Sequence, residues 1–149
     1  MKEIAHQIRI AVDEASGRLS RMKPEYVSAK PGPGKWSKKE ILGHLIDSAA
    51  NNHQRFVRAC YNAATAFPPY DQNEWVRIQR YHESEWSELV ALWSLYNRHL
   101  SHIIERIPEE ALSAPCNIGK DEPVRLEFVI TDYLRHLRHH LDQLLDRSV

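Results

Sequence analysis

The sequence predicts an all-α protein: a four-helix bundle with one long crossover connection between helices 2 and 3. Three observations lead there. Four stretches, each about twenty residues long, carry apolar residues at helical spacing. No run alternates apolar and polar residues for long enough to make a convincing strand. The segment 64–83, between the second and third stretches, is long enough to cross a bundle, so those two helices need not be antiparallel neighbours. A chain of 149 residues has the size of one domain with its own core, and 1–149 is read as a single domain.

The first helix is expected over about residues 2–21, with Ile4, Ile8, Ala11, Val12, Ala15 and Leu19 on one side. The stretch KPEYVSAKPGPGKW follows and reads as a loop, because Pro and Gly punctuate it. Ser37 with Glu40 three residues on is a capping box that opens the second helix, with Trp36 before it as a hydrophobic staple. That helix is expected to run to about Ala63, with Ile41, Leu45, Ala49, Phe56 and Ala59 sharing a face. In the connection, FPPYDQNEW is turn-rich, and 73–81 suits a short helix. The third helix is expected from about Ser84 to Ile107, with a stripe of Leu89, Leu92, Trp93, Tyr96, Leu100, Ile103 and Ile107, and Pro108 after its end. EEALSAPCNIGKDEPV has room for a small hairpin around Gly119, and the fourth helix runs from about Arg125 to Asp146. The tryptophans and Tyr96 read as core, and Cys60 as packed.

Charge and composition exclude several classes. Lys plus Arg and Asp plus Glu are 20 each, so the net charge is zero and no basic stripe invites nucleic acid. No apolar run approaches the roughly 18 residues a membrane span needs. The opening MKEIAHQIRIAVDEASGRL is amphipathic and contains acids, unlike a signal peptide. Two cysteines, Cys60 and Cys116, make no disulfide framework and suit a reducing, cytoplasmic setting.

The stretch YLRHLRHHLDQLL poses the chemical question, because it holds three of the nine histidines. Centred on Leu137, the apolar stripe of the fourth helix includes His140 about 60° from its middle and His136 at its edge, roughly 100° away. His139 falls on the solvent face. His136 and His140 are therefore an i, i+4 pair aimed at one place, and two imidazoles one turn apart can share a metal. The second helix offers a third ligand. His44 lies at the edge of its stripe, with Ser48, Asn52 and Arg55 on the same flank and Asn51 just beyond. Polar groups placed there need partners or a ligand. His99, about 60° from the centre of the third helix's stripe, is a rival third ligand or a core histidine. By the same angle count Asp47 points mostly outward, as a solvent-exposed or loop-capping carboxylate, with a metal or proton-transfer role as the alternative.

Taken together, KWSKKEILGHLIDSAANNHQRF, PPYDQNEWVRIQRY and YLRHLRHHLDQLL resemble, in order and spacing, the signatures of the DinB-like superfamily. That group includes bacterial bacillithiol transferases and metal-dependent hydrolases. The resemblance covers nearly the whole chain. It implies a four-helix bundle with one crossover and one divalent metal ion, most often zinc or nickel, held by three histidines. Carried onto this chain, those are His44, His136 and His140, which sets His99 and His139 aside.

Three neutral ligands without a carboxylate leave coordination positions open, as catalytic sites do. A metal there lowers the pKa of a bound thiol or water. The leading expectation is a transferase that uses a low-molecular-weight thiol on a small-molecule substrate, through a metal-activated thiolate. The alternatives are a hydrolase with metal-activated water, and a non-catalytic metal-binding or stress-associated module. Arg55, Asn51 and Asp47 are the candidate catalytic residues, with Arg55 suited to an anionic group. Gln143 is a candidate to orient His136. A homodimer through an exposed helix face is also expected.

Overall fold

The computed structural model describes residues 1–61, 66–119 and 122–146. Its helices in chain order are α1 (Lys2–Leu19), α2 (Pro24–Ser28), α3 (Lys38–Ala59), α4 (Gln72–Gln79), α5 (Trp86–Glu105) and α6 (Leu126–Leu144). Turns of 3-10 helix cover Tyr81–Glu83 and Glu109–Ser113. Two short strands, β1 (Pro115–Cys116) and β2 (Val124–Arg125), pair antiparallel as the hairpin expected around Gly119, which adopts a φ of +83°.

The capping box forms as read. The backbone N–H of Ser37 donates to Glu40 Oε2 at 2.7 Å, and the Glu40 N–H donates to Ser37 Oγ at 3.3 Å. Such a cap is worth about 1 kcal/mol and fixes where α3 begins, hence the phase of every side chain after it. Asp71 caps α4 by accepting from the N–H groups of Asn73 and Glu74.

The four long helices stand in a ring: α1 beside α5, α5 beside α3, α3 beside α6, and α6 beside α1. Contacts between helices fix their directions. Arg9 reaches Ser101 and Glu105, while Trp86 donates to the Leu19 carbonyl, so α1 and α5 run antiparallel. Lys38 donates to the Leu144 carbonyl and His44 meets His136, so α3 and α6 are antiparallel as well. Lys39 reaches the Ser84 carbonyl and His53 meets Tyr96, so α3 and α5 are parallel neighbours. Parallel neighbours joined in sequence need a return along the length of the bundle. The connection carrying α4 supplies that return.

The interior is apolar along the ring, with Ile8, Leu19, Leu42, Phe56, Trp93, Leu100, Ile130 and Leu137 among its fully buried side chains. Several expectations shift. The loop after α1 contains α2, started by Pro24 at its first turn, where a missing N–H costs nothing. α3 ends at Ala59, earlier than expected, and Cys60 caps it exposed to solvent rather than packed; residues 62–63 of the expected helix lie outside the described residues. The buried face of α5 runs through Trp93, Asn97, Leu100, Ser101 and Ile104, while Leu92 is half exposed. Asn97 accepts from the Tyr133 hydroxyl at 2.6 Å and Ser101 donates to the Ala5 carbonyl at 2.9 Å, so polar residues are stable on that face. Trp86 and Trp93 are core, but Trp75 is exposed and Trp36 and Tyr96 are only partly covered.

Candidate metal centre

The seam between α3 and α6 carries a polar line on its flank. His44, Ser48 and Asn52 recur one turn apart on α3, so they stack along one side of the helix, with Arg55 continuing the line. α6 presents His136 and His140, again one turn apart, to the upper part of that line.

The three histidines meet. The Nε2 atoms of His44 and His136 are 3.1 Å apart, and the nitrogens of all three that could hold an ion lie within 4.8 Å of one another. Ring centroids are separated by 5.1 Å for His44–His136, 4.8 Å for His44–His140 and 4.6 Å for His136–His140. A tetrahedral zinc ion with Zn–N bonds near 2.0–2.1 Å sets its ligand nitrogens about 3.3 Å apart. The donor set therefore fits one divalent ion. No Asp, Glu or Cys joins the cluster among the described residues, which leaves positions for an exogenous ligand.

Electrostatics favour the same chemistry. Burial, followed by the neighbouring His136 and His140, pushes the pKa of His44 down to about 3. Burial, followed by His140, pushes His136 down to about 4, and burial also lowers His140. All three rings are neutral at pH 7, the form that coordinates metals. Without a cation, either His44 or His136 must donate an N–H to the other; with one, both lone pairs face the same charge.

Neighbours orient two of the rings. Gln143 Oε1 accepts from His140 Nδ1 at 2.9 Å, leaving Nε2 free for the shared centre, while the Gln143 amide bonds His139 at 3.0 Å. Gln143 thus serves His140 rather than His136, whose Nδ1 sits 3.4 Å from Ser48 Oγ. His44 Nδ1 is buried with no partner. The Trp36 ring lies against His44, at 5.2 Å between centroids.

The remaining candidates separate. Asp47 is 2% exposed, not outward-facing. Its Oδ1 accepts from the Tyr81 hydroxyl and from Gln79 Nε2, both at 2.6 Å, and burial raises its pKa while these bonds oppose the rise. Gly43 makes this possible, because a Cβ there would overlap the Tyr81 ring. Asp47 is therefore a clamp that ties the crossover to α3. Asn51 donates to the Asp47 carbonyl at 2.9 Å. Arg55 is half-buried, its one hydrogen bond is a 3.4 Å contact to Asn52, and it forms no ion pair among the described residues. Burial lowers its pKa, against the pull of Tyr70. His99 lies on the surface beside His53, away from the cluster.

Two cavities open on the histidines. One, of about 730 Å³, reaches His140; the other, of about 230 Å³, reaches His44 and His136. The crossover roofs both with Gln72 and the smaller one with Tyr70. The hairpin loop adds Ile118 to the smaller cavity, and the Phe67 N–H bonds the Asn117 carbonyl at 2.8 Å to pin the roof. Tyr70, Tyr81 and the clamp on Asp47 were not found from the sequence. The signal available was Gly43, a helix-interior glycine one residue before His44.

Comparison with known proteins agrees with this architecture. A family model described as the DinB superfamily matches residues 7–144. A Bacillus cereus protein named "Putative metal-dependent hydrolase" is 26% identical over 107 residues, covering 72% of this chain and 61% of that one. An Oceanobacillus iheyensis protein of the same description is 30% identical over 115 residues, with 72% and 62% covered. The chain thus spans about three fifths of the length of these relatives. The solved structure of YfiT from Bacillus subtilis, described as having an unusual four-helix bundle topology, superposes with a TM-score of 0.82 over 97% of this chain and 82% of that one, at 18% identity. At that identity the likeness speaks for the fold. Among the described residues no helix is long and apolar enough to cross a membrane.

Proposed function

The chain belongs to the DinB superfamily, and we propose that it is a metal-dependent transferase joining a low-molecular-weight thiol of the bacillithiol type to a small-molecule electrophile. His44, His136 and His140 are the proposed ligands of one divalent ion, zinc or nickel as the family resemblance implies, since imidazole by itself suits zinc, nickel, iron and copper alike. The supporting observation is the convergence of three neutral imidazoles, with no carboxylate among them, at the mouths of two cavities. When bound, the ion would supply Lewis acidity that favours the thiolate near neutral pH.

The chain's own groups then have defined tasks. Gln143 holds His140 in the tautomer whose Nε2 is free. Ser48 steadies His136. Arg55, short of partners and half-buried, receives an anionic group of a reactant. Asp47 acts at one remove, holding Gln79 and Tyr81 so that α4 keeps Gln72 over the site. Asn51 spends its amide on backbone and serves α3.

A second reading, hydrolysis with water as nucleophile, draws support from the names of the Bacillus cereus and Oceanobacillus iheyensis relatives. Both readings suit a cytoplasmic protein with two unpaired cysteines and a small-molecule rather than nucleic-acid partner. A homodimer belongs to the same proposal and is tested by sedimentation.

The deciding experiment is the metal content of protein purified without a histidine tag, in wild type and His140→Ala. About one equivalent in wild type and a large loss in the variant is expected, since removing a ligand removes most of the affinity. Metal-loaded protein is then offered a thiol with an alkylating electrophile, and separately an ester. Thiol consumption with the electrophile supports transfer; ester cleavage without thiol supports hydrolysis. Metal in neither protein, after incubation with zinc and nickel, overturns both readings and leaves a non-catalytic module.

A further inference from the structure

The three imidazoles do not sit at the bottom of one pocket; they stand between two. His140 belongs to the larger cavity, His44 and His136 to the smaller, and of the residues lining them only Gln72 is common to both. The two spaces differ in chemistry. The larger, about 730 Å³, is walled by Tyr26, Pro31, Trp36 and Ile41. Two of its three lysines are already paired, Lys30 with Glu40 at 2.9 Å and Lys38 with Asp146 at 2.8 Å, and the third, Lys35, is exposed to solvent. Its surface therefore favours a flat apolar body over a charged one. The smaller, about 230 Å³, is lined by Ser48, Asn52, Arg55, Tyr70 and Asp132 beside its two histidines, and the Asp132 carboxylate is itself paired with Arg135 at 2.6 Å. Arg55 there forms no ion pair among the described residues. A half-buried guanidinium with one long hydrogen bond suits a carboxylate, which it can grip with two parallel N–H donors.

We infer that the centre takes two organic reactants at once from two adjoining cavities, an aromatic or otherwise apolar molecule in the larger and a small carboxylate-bearing one in the smaller, with Gln72 at their boundary. A hydrolase needs only one organic reactant and water. Two adjoining cavities of unlike lining that meet at one cluster suit a transfer between two bound reactants. This inference rests on the group-transfer reading, but concerns occupancy rather than turnover.

The test is binding of two probes to zinc-incubated wild-type protein, followed by NMR shifts of side-chain N–H groups. 1-Naphthol is expected to move the Trp36 indole signal, and 3-mercaptopropionate the Asn52 amide and Arg55 guanidinium signals. Each probe should bind in the presence of saturating amounts of the other with its Kd changed less than threefold. Arg55→Gln should weaken 3-mercaptopropionate tenfold or more and leave 1-naphthol unchanged; Trp36→Ala should do the reverse, with circular dichroism confirming the fold of both. Mutual exclusion of the probes, both probes moving the same signals, or no binding of either overturns the inference. Independent binding to protein that retains no metal would leave the two chambers standing and sink the metal reading instead, so the two failures are distinguishable.

Discussion

The α1/α5 seam and the α3/α6 seam are both antiparallel, and both place polar side chains between apolar ones. In the first, Ser101, Arg9 and Glu105 find partners in one another and in the backbone. Ser101 bonds the Ala5 carbonyl at 2.9 Å and accepts from Arg9 at 3.1 Å, and Arg9 also pairs with Glu105 at 3.1 Å. In the second, among the described residues, His44 Nδ1 has no partner, Arg55 has one long hydrogen bond, and the Nε2 atoms of two histidines face each other. A buried polar group with unmet capacity costs stability, whereas a paired one roughly balances. The comparison teaches that polarity in a bundle seam is not itself a sign of function. Nor is a lone unpartnered atom, since among the described residues Trp93 Nε1 and Asp47 Oδ2 are also buried without a partner; what sets the α3/α6 seam apart is three imidazoles converging with their nitrogens within 4.8 Å.

The strongest way to break this contrast is to supply a cation to the facing Nε2 atoms. Zinc at about a thousand times its Kd should stabilise wild-type protein against urea by about 4 kcal/mol. A Ser101→Ala variant, damaged in the other seam, should start less stable by about 1 kcal/mol and gain the same increment. A His44→Ala variant should gain little. Equal gains in all three would place the ion elsewhere.

Acid provides the next largest effect. Because the folded pKa of His44 lies near 3 and that of His136 near 4, against an ordinary 6.5, the unfolded chain binds more protons between those values. The stability of the metal-free protein is therefore fully present above pH 6.5 and is lost as pH falls towards 4. His44 alone accounts for about 2–3 kcal/mol of that loss by pH 4.5. A His44→Leu variant should show a flatter profile over this window, and denaturation at several pH values reads it directly. An unchanged slope would mean that His44 is not held neutral by its seam.

Asp47 follows. Replacing it with Ala removes the shared acceptor of the Tyr81 hydroxyl and the Gln79 amide, which among the described residues keep only each other at 2.9 Å and a 3.4 Å contact to the Trp75 carbonyl, and about 2 kcal/mol should be lost. This clamp shows where sequence reading stopped. The capping box at Ser37 and the i, i+4 pair on α6 were legible because they are local: helical geometry alone sets Ser37 against Glu40 and His136 beside His140. The parallel course of α3 and α5 was legible as a possibility, from the length of the connection. Asp47 was not, because an angle count treats every flank outside the apolar stripe as solvent, and nothing local says that Tyr81, 34 residues on, returns to cover it. The α5 stripe slipped towards Leu92 for a related reason. Asn97 and Ser101 look like surface until Tyr133 and Ala5 are placed against them. Gln143 was assigned to His136 by side of helix alone, yet its oxygen reaches His140 three residues back.

The smallest effect lies on the outer edge of the paired seam. Arg98 and Asp13 bridge α5 and α1 at 2.8 Å, but their side chains are 54% and 60% exposed. Water already solvates both charges, and holding two long side chains in register costs entropy, so a double-mutant cycle on Asp13→Ala and Arg98→Ala should return a coupling of about 0.3 kcal/mol that fades in salt. The cycle on Arg9 and Glu105, less exposed and shared with Ser101, should return more. If the outer pair proved the stronger, pairing rather than burial would be what stabilises this seam, and the burial of the three histidines opposite would lose its meaning as a cost. If the ranking holds, burial sets the cost of holding three imidazoles together, and that cost is what the proposed ion would offset.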